Sequence, residues 1–459
     1  MNMTKIIMTY GPSVQKPSTL VKVLAKADVV RVNFSHASNE EAVAALDNIR
    51  SVSSKLKKET AVLADLPGPK IRLGKIKNQK VSKNEVLEFY KCGKGEGLCI
   101  EFDGDWRSLP RGTTVSINDG YLKMKVIEAS SDRLVCKVLD GGELSSGKGV
   151  NFHYSGMIAE APTKEDIKKA EFASKAGFDM LAESFVTSSE DITKLRKHAF
   201  GLPIIAKIER KRAVANIAEI AREADAVMVA RGDLALEAEI ESIPALQARI
   251  VNETRRAGKP VIVATQVLIS MLNSSMPTRA EVNDIANSVM QGVDAIMLSD
   301  ETAVGKYPMQ AVSVLHKTIA NSEKMGMGVV KPNVSGVMDY IAYAAAEISR
   351  QHKLDCIFAL TQSGATAKRV SAFRPKCKVI ALSSTEKVCR QLAMLRGISA
   401  KVIQKYSDNV EMEKLVGAIA KEIKAQEYLI VYGSPHVSGT TDSLKYVGKE
   451  NSAGSRPRT

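Results

Sequence analysis

Eight short apolar runs, most of them separated by amphipathic helical patterns, constrain what this chain can fold into more than any other feature of its sequence. They lie at residues 4–9 (TKIIMT), 29–34 (VVRVNF), 60–65 (TAVLAD), 179–186 (DMLAESFV), 203–209 (PIIAKIE), 226–233 (AVMVARGD), 260–266 (PVIVATQ) and 295–301 (AIMLSDE). Runs that are continuously apolar, rather than alternating with polar residues, mark strands buried on both faces. Between them, a segment such as 211–224 places Val214, Ile217, Ile220, Ala221 and Ala224 on one helical face. Eight parallel strands covered by helices predict a closed (β/α)8 TIM barrel, an α/β fold whose functional groups gather at the C-terminal ends of its strands.

The alternation breaks once, after the third run. From about residue 70 to 154 the pattern changes to period two, punctuated by Gly and Asp-Gly: VLEFY, LCIEF, TTVSI, NDG, YLKMKVIEA, DRLVCKVLDGG. This predicts a small antiparallel β-barrel lid inserted into the barrel. Near Asn333 a third unit begins, with a helical pattern at 337–350, an apolar run at 355–360, the loop TQSGATA, the run VIALS and later YLIVYG. The expected division is barrel at 1–68, inserted lid at 69–156, barrel again at 157–327, a C-terminal α/β regulatory domain at 328–450, and a disordered tail at 451–459 (NSAGSRPRT).

Composition narrows the functional classes. With 459 residues, 44% hydrophobic and 25% charged, the chain is an ordinary globular protein of several domains, not a disordered or disulfide-scaffold sequence. No apolar run reaches the roughly 18–20 residues of a membrane helix, and the start MNMTKIIMTYGPS carries no cleavage signature. Both favour a cytoplasmic location with no membrane partner. Six cysteines at 92, 99, 136, 356, 377 and 389 form no CxxC pair, so reduced thiols are expected and zinc is not. The net charge of +14 suits anionic substrates as well as nucleic acid. With 5% aromatics and no basic run interleaved with them, nucleic acid is disfavoured.

The strand ends carry the chemistry. They supply Thr9, Arg31, Asn33, Ser35, Asp65, Ser184, Phe185, Lys207, Glu209, Arg231, Asp233, Thr265, Gln266, Ser299 and Glu301. Thr9, Ser35 and Ser299 are explained as well by capping the next helix. Lys207 and Glu209 are two residues apart and share a strand face, and a desolvated ion pair adds little to folding, so chemistry is the better account of them. Glu209 and Asp233 lie on adjacent strands and can share a divalent ion, completed by substrate and water as magnesium prefers. Arg31 and Lys207 then supply fixed positive charge. A metal, a cation clamp and little else is the equipment of phosphoryl transfer. In the lid, GELSSGKG nearly matches a phosphate-binding loop, but Gly149 stands where Ser or Thr is required and no helix follows. Lys148 is either a lid cation that reaches a phosphate or an exposed loop lysine.

These motifs resemble those of the pyruvate kinase family over nearly the whole chain. TKIIMTYGPS, RVNFSH, DLPGPKIR, GKGVN, SFV, IIAKIE, VMVARGDL, GKPVIVATQ, MPTRAEVNDIAN and MLSDETAVGKYP follow one another as in that family, most specifically across 204–308. The resemblance implies a Mg2+- or Mn2+-dependent transfer of the phosphoryl group of phosphoenolpyruvate to ADP, giving pyruvate and ATP in the last step of glycolysis. It implies that Lys207 neutralises charge on the transferring group, that Arg31 binds that group, and that Glu209 and Asp233 hold the metal. It further implies that the Gly232 and Asp233 N–H groups bind the substrate carboxylate and that Thr265 sits beside the carbon receiving a proton. Asn33, His36, Arg72 and Lys148 would face the nucleotide phosphates as the lid closes. A homotetramer is the family's assembly.

Departures from the pattern matter too. The family's monovalent-cation site matches Asn33, Ser35, Asp65 and the Leu66 carbonyl, but Pro67 and Lys70 stand where many members have Lys and Glu. An ammonium at Lys70 replaces the charge of potassium, so the resemblance implies that K+ is not required. Thr187 and Asp300 stand where Arg and Gly are usual, and Ala213 and Ala235 replace glycines. In the third domain Thr361, Ser363, Gly364 and Thr366 resemble the family's phosphate-effector loop, against the plainer reading of a capped helix start. A silent ligand sensor of the same fold is disfavoured because Arg31, Lys207, Glu209, Asp233 and Thr265 are all present. A barrel aldolase or carboxylyase-like enzyme is disfavoured because such enzymes lack the lid and third domain.

Overall fold

The computed structural model describes residues 2–448 apart from Lys70, Asp103, Asp119, 155–159, Met327, Val329 and 434–438. Eight parallel strands close a barrel: Lys5–Thr9, Val29–Asn33, Ala61–Asp65, Met180–Glu183, Ile204–Ile208, Ala226–Ala230, Val261–Ala264 and Ala295–Leu298, the last pairing with the first. Every residue of six of these strands is buried, as the uninterrupted apolar runs demand. Inward side chains such as Ile7, Leu63, Met180, Ile205, Met228, Ile262 and Met297 fill the barrel. Outward ones join the helices in a larger shell that includes Val14, Ile49, Ile192, Ile250 and Leu315.

The strands are shorter than the sequence runs, and the difference moves functional residues. Arg231 and Asp233 belong to the helix Arg231–Glu237, and Glu301 to the short helix Asp300–Ala303, rather than to strand ends. The 211–224 segment is two helices, Lys211–Ala215 and Ile217–Glu223, instead of one. Asn216 breaks it at φ −95°, ψ 11°, and its side-chain amide donates to the Thr187 carbonyl at 2.9 Å. The apolar face survives the break, because Val214, Ile217, Ile220, Ala221 and Ala224 are all buried.

The inserted segment forms a seven-stranded sheet around its own core, which includes Phe89, Trp106, Val115, Met124 and Leu134. It is not wholly antiparallel: Val86–Lys91 runs parallel to Leu98–Glu101. That pairing brings Cys92 and Cys99 to a Cα separation of 4.9 Å, and a disulfide joins them. The expectation of reduced thiols is therefore corrected for this pair, because spacing along the chain does not reveal which strands run side by side. Gly74 is required beside the bond, since a Cβ there would collide with both sulfurs. Cys136, Cys356, Cys377 and Cys389 are free.

The third unit is a five-stranded sheet, parallel except for the edge strand Ser443–Val447. It docks on the N-terminal end of the barrel through a buried pair in which Arg374 holds both oxygens of Asp294, at 2.7 and 2.6 Å. Removing one partner of such a pair strands the other charge in a low-dielectric site. Arg374→Met is expected to lower the stability of the transition that separates these units by about 3–5 kcal/mol. Calorimetry on the variant, with Asp294→Asn added to restore part of the loss, checks this. Among the described residues no helix is long and apolar enough to cross a membrane.

Candidate active site

Asp65 is the anchor around which the barrel mouth is built. It ends the third strand, is 1% exposed, and faces two cations: Arg31 Nε at 2.6 Å and Lys207 Nζ at 3.1 Å. Arg31, from the second strand, also donates to Thr9 Oγ1 at 3.2 Å, so its guanidinium is braced from two strands. Lys207, from the fifth strand, pairs with Glu209 at 3.0 Å and donates to Ser184 Oγ at 2.7 Å. Ser184 Oγ in turn donates a hydrogen bond to the Leu66 carbonyl at 2.7 Å. Gly68 allows this approach: a Cβ there would lie 2.6 Å from that of Ser184.

The charges are poised by one another. Burial pulls the Lys207 ammonium pKa down, but Asp65 and Glu209, with Asp233 behind them, outweigh it and hold the pKa above the usual lysine value. Burial also pushes Asp65 up, yet Lys207 and Arg31 bring it below the ordinary carboxylate range. Glu209 goes the other way. Its burial, opposed by Lys207 but reinforced by Asp233, raises its pKa. Two carboxylates that repel each other across one cavity are a donor set suited to a divalent cation. Among the described residues no three His, Cys, Asp or Glu side chains converge as a metal cage, so a metal here needs ligands from substrate or water.

Glu209 and Asp233 line a cavity of about 400 Å3 between the barrel and the lid, whose walls include Phe185, Arg210, Gly149 and His153. The backbone around it is strained. Phe185, Thr265 and Gln266 have φ of 58°, 66° and 54°, a region that a β-branched residue such as Thr enters at a cost of about 1–3 kcal/mol. Each is held there by a specific contact. The Phe185 N–H donates to Glu209 Oε2 at 2.7 Å. Arg231 donates to the Thr265 and Gln266 carbonyls, at 2.9 and 3.1 Å, and pairs with Asp284 at 2.6 Å. Thr265 Oγ1 accepts the Gly232 N–H at 2.8 Å and donates to the Ala264 carbonyl at 2.6 Å, which ties the Gly232 amide and the Thr265 hydroxyl into one unit next to Asp233. Glu301 fixes the neighbouring turns by accepting from the Leu268 and Ser299 N–H groups, at 2.9 and 2.7 Å.

The remaining candidates fall into separate groups. Asn33 accepts from the Ser35 N–H at 3.1 Å, and exposed His36 follows in the same turn. In the lid, Arg72 donates to the Gly147 carbonyl at 3.0 Å and bridges to Gly149, bringing it beside exposed Lys148. In the third domain Gly364 has φ +88° and starts the helix Ala365–Ala372, with Ser363 exposed just before it. Thr361 is buried, and the Thr366 hydroxyl donates to the Thr440 carbonyl at 3.2 Å and accepts from Thr441 Oγ1 at 3.0 Å. Lys70 lies outside the described residues, as do residues 434–438 of the loop SPHVSGTTDS. Thr187 turns to Asp191, through its N–H at 2.8 Å and its hydroxyl at 3.0 Å, and Asp300 is exposed.

Three residues here had no role from sequence. Arg210 stacks over Phe185 at 4.9 Å; its place directly after Glu209 in ERKR was the available signal. His153 contacts Ser116 Oγ at 3.0 Å, and burial, with Lys123 and Lys211 nearby, lowers its pKa. Glu183 is fully buried with neither carboxyl oxygen hydrogen-bonded among the described residues; burial, then Asp166, holds its pKa well above the usual range.

Comparison with known proteins places this geometry. A family model described as pyruvate kinase, barrel domain, matches residues 1–312, and one described as pyruvate kinase, alpha/beta domain, matches residues 339–447. A pyruvate kinase of Thermococcus litoralis is 35% identical over 452 residues, covering 94% of this chain and 95% of its own. Those of Mycobacterium tuberculosis and Methanocaldococcus jannaschii are each 35% identical, covering 96% and 97% of this chain and 97% and 98% of their own.

Proposed function

The chain belongs to the pyruvate kinase family and is a phosphotransferase with that family's function, and on that premise we propose how its residues carry the reaction. Phosphoenolpyruvate and ADP are the substrates, and pyruvate and ATP the products. The supporting observation is the Arg31–Asp65–Lys207–Glu209 chain of contacts at the barrel mouth. It holds two cations within reach of one anionic group, in a site where burial strengthens every charge interaction. Lys207 faces the charge that moves from phosphoryl group to enolate oxygen, and Arg31 steadies the phosphoryl group. The Gly232–Thr265 unit faces the substrate carboxylate and the carbon to be protonated. Asn33, His36, Arg72 and Lys148 take the nucleotide phosphates.

Glu209 and Asp233 are the residues that would hold a divalent ion, Mg2+ or Mn2+. Bound there, the metal would supply charge neutralisation for the substrate oxygens. The lid contributes by excluding water once Arg72 and Lys148 engage the nucleotide. Thr361, Ser363, Gly364 and Thr366 are the proposed effector-phosphate loop. The separate apolar cores of the three units support the division at 1–68, 69–156, 157–327 and 328–450. A cytoplasmic homotetramer is the proposed assembly. Val337 and Tyr340, 75% and 62% exposed on the helix Val337–Gln351, are apolar surface that a neighbouring subunit would cover.

Potassium is not required in this reading, because the Lys70 ammonium would supply the charge that potassium brings to the family's site, which Asn33, Ser35, Asp65 and Leu66 match. The test is a coupled pyruvate assay with Mg2+ in which K+ is replaced by tetramethylammonium at equal ionic strength. Activity is expected to stay within about twofold, and Lys70→Glu is expected to create a K+ requirement of about tenfold or more, the size of one charged hydrogen-bond contact. Loss of activity on removing K+ from the unaltered chain would contradict the substitution.

A further inference from the structure

A second cavity, of about 230 Å3, lies where the N-terminal end of the barrel meets the third domain. Its lining carries five Lys or Arg side chains and two carboxylates, and both carboxylates are already neutralised. Asp225 accepts from Arg196 at 3.0 Å and from the Ile204 N–H at 2.9 Å. Asp294 is held by both terminal nitrogens of Arg374 and by the Val261 N–H at 3.0 Å.

The cations around them are in excess. Arg255 is 2% exposed and has no carboxylate partner among the described residues; it donates only to the Val330 and Gly292 carbonyls, at 2.9 and 3.5 Å. Lys259 likewise donates to the Arg222 and Ala224 carbonyls, at 3.0 and 2.6 Å. Lys368, on the helix Ala365–Ala372, is exposed and forms no ion pair among the described residues. Arg374 is fixed at φ 55°, a conformation that the surrounding packing has to impose. Burial, and then Arg374, push the Arg255 pKa down to about 9. Uncompensated positive charge at a buried site opposes folding, so its persistence in a solvent-connected cavity points to an anion that completes it.

We propose that this cavity is a binding site for a small phosphate monoester, whose dianionic group is received by Lys259 and Lys368 with Arg255 behind them. Three cations on one small cavity match a dianion better than a carboxylate, and the volume admits a phosphate with a small organic group but no dinucleotide. The site is separate from the Thr361–Gly364 loop, although one helix serves both.

Equilibrium dialysis of the full chain against radiolabelled inorganic phosphate, at constant ionic strength, tests it. Lys368 is exposed, so its variants are expected to fold, and circular dichroism verifies this. Lys368→Met is expected to weaken one phosphate site per chain about tenfold, and Lys368→Glu to remove it. Ser363→Ala is expected to leave that site unchanged, and glycerol 3-phosphate to displace the bound phosphate at equal or lower concentration. Superimposable isotherms for the unaltered chain and Lys368→Glu would overturn the site. Failure of glycerol 3-phosphate to compete would overturn its assignment to a monoester.

Discussion

Replacing Lys207 by methionine is expected to lower the rate of pyruvate formation by about 10^3-fold or more while the chain remains folded. The methionine fills the same channel between Asp65, Ser184 and Glu209 but brings no charge to the transferring group. Because the ammonium acts most strongly as charge builds up on the reacting oxygens, the loss should fall on kcat rather than on KM. A stability cost accompanies it. Asp65 keeps Arg31 at 2.6 Å, but Glu209 loses its cation at 3.0 Å, a change worth up to about 3–5 kcal/mol for a buried pair. Lys207→Arg should recover little, since a planar guanidinium cannot sit as a point charge between Asp65 and Glu209. A kcat within tenfold of the unaltered chain would remove Lys207 from the reaction.

The second large effect is expected at Glu209. Glu209→Gln preserves shape and leaves an oxygen to accept the Phe185 N–H, but takes away one of two carboxylates. Manganese binding, followed by electron paramagnetic resonance in the absence of substrates, is expected to weaken by about 10^2-fold or more, since a direct ligand should count for at least as much as the residues that support one. Lys207→Met should not share this loss, because it removes a cation that competes for the same oxygen. That contrast separates the metal role from the charge role without relying on turnover. Equal weakening in both variants would mean that the two residues act only as one structural unit.

The barrel was legible because strands buried on both faces must be continuously apolar, and eight such runs with helices between them are the number that closes a (β/α)8 barrel. The Lys207–Glu209 contact was legible for the same geometric reason, two residues being one strand repeat. Asp233 and Glu301 were misplaced onto strands because a run such as AVMVARGD does not announce where the strand turns into a helix. The parallel pairing of Val86–Lys91 with Leu98–Glu101, and with it the Cys92–Cys99 bond, depends on neighbours that spacing does not specify. The central position of Asp65 was not legible either. Its partners come from residues 31 and 207, and only the closed barrel brings them to one carboxylate. The left-handed backbone at Thr265 has no sequence signal, since threonine resists it and packing imposes it. The cavity at the opposite end of the barrel draws on Arg255, Lys259, Asp294, Lys368 and Arg374, which are unremarkable one by one.

Transfer of a phosphoryl group from phosphoenolpyruvate to ADP by the cluster around Lys207 can be watched directly. Phosphorus-31 nuclear magnetic resonance of the purified chain with both substrates and Mg2+ follows donor and acceptor in one sample. The phosphoenolpyruvate signal is expected to fall as the ATP γ-phosphate signal grows in equal amount, with neither change over the same period in Lys207→Met. Loss of phosphoenolpyruvate to inorganic phosphate, or no change at all from folded protein, would contradict it.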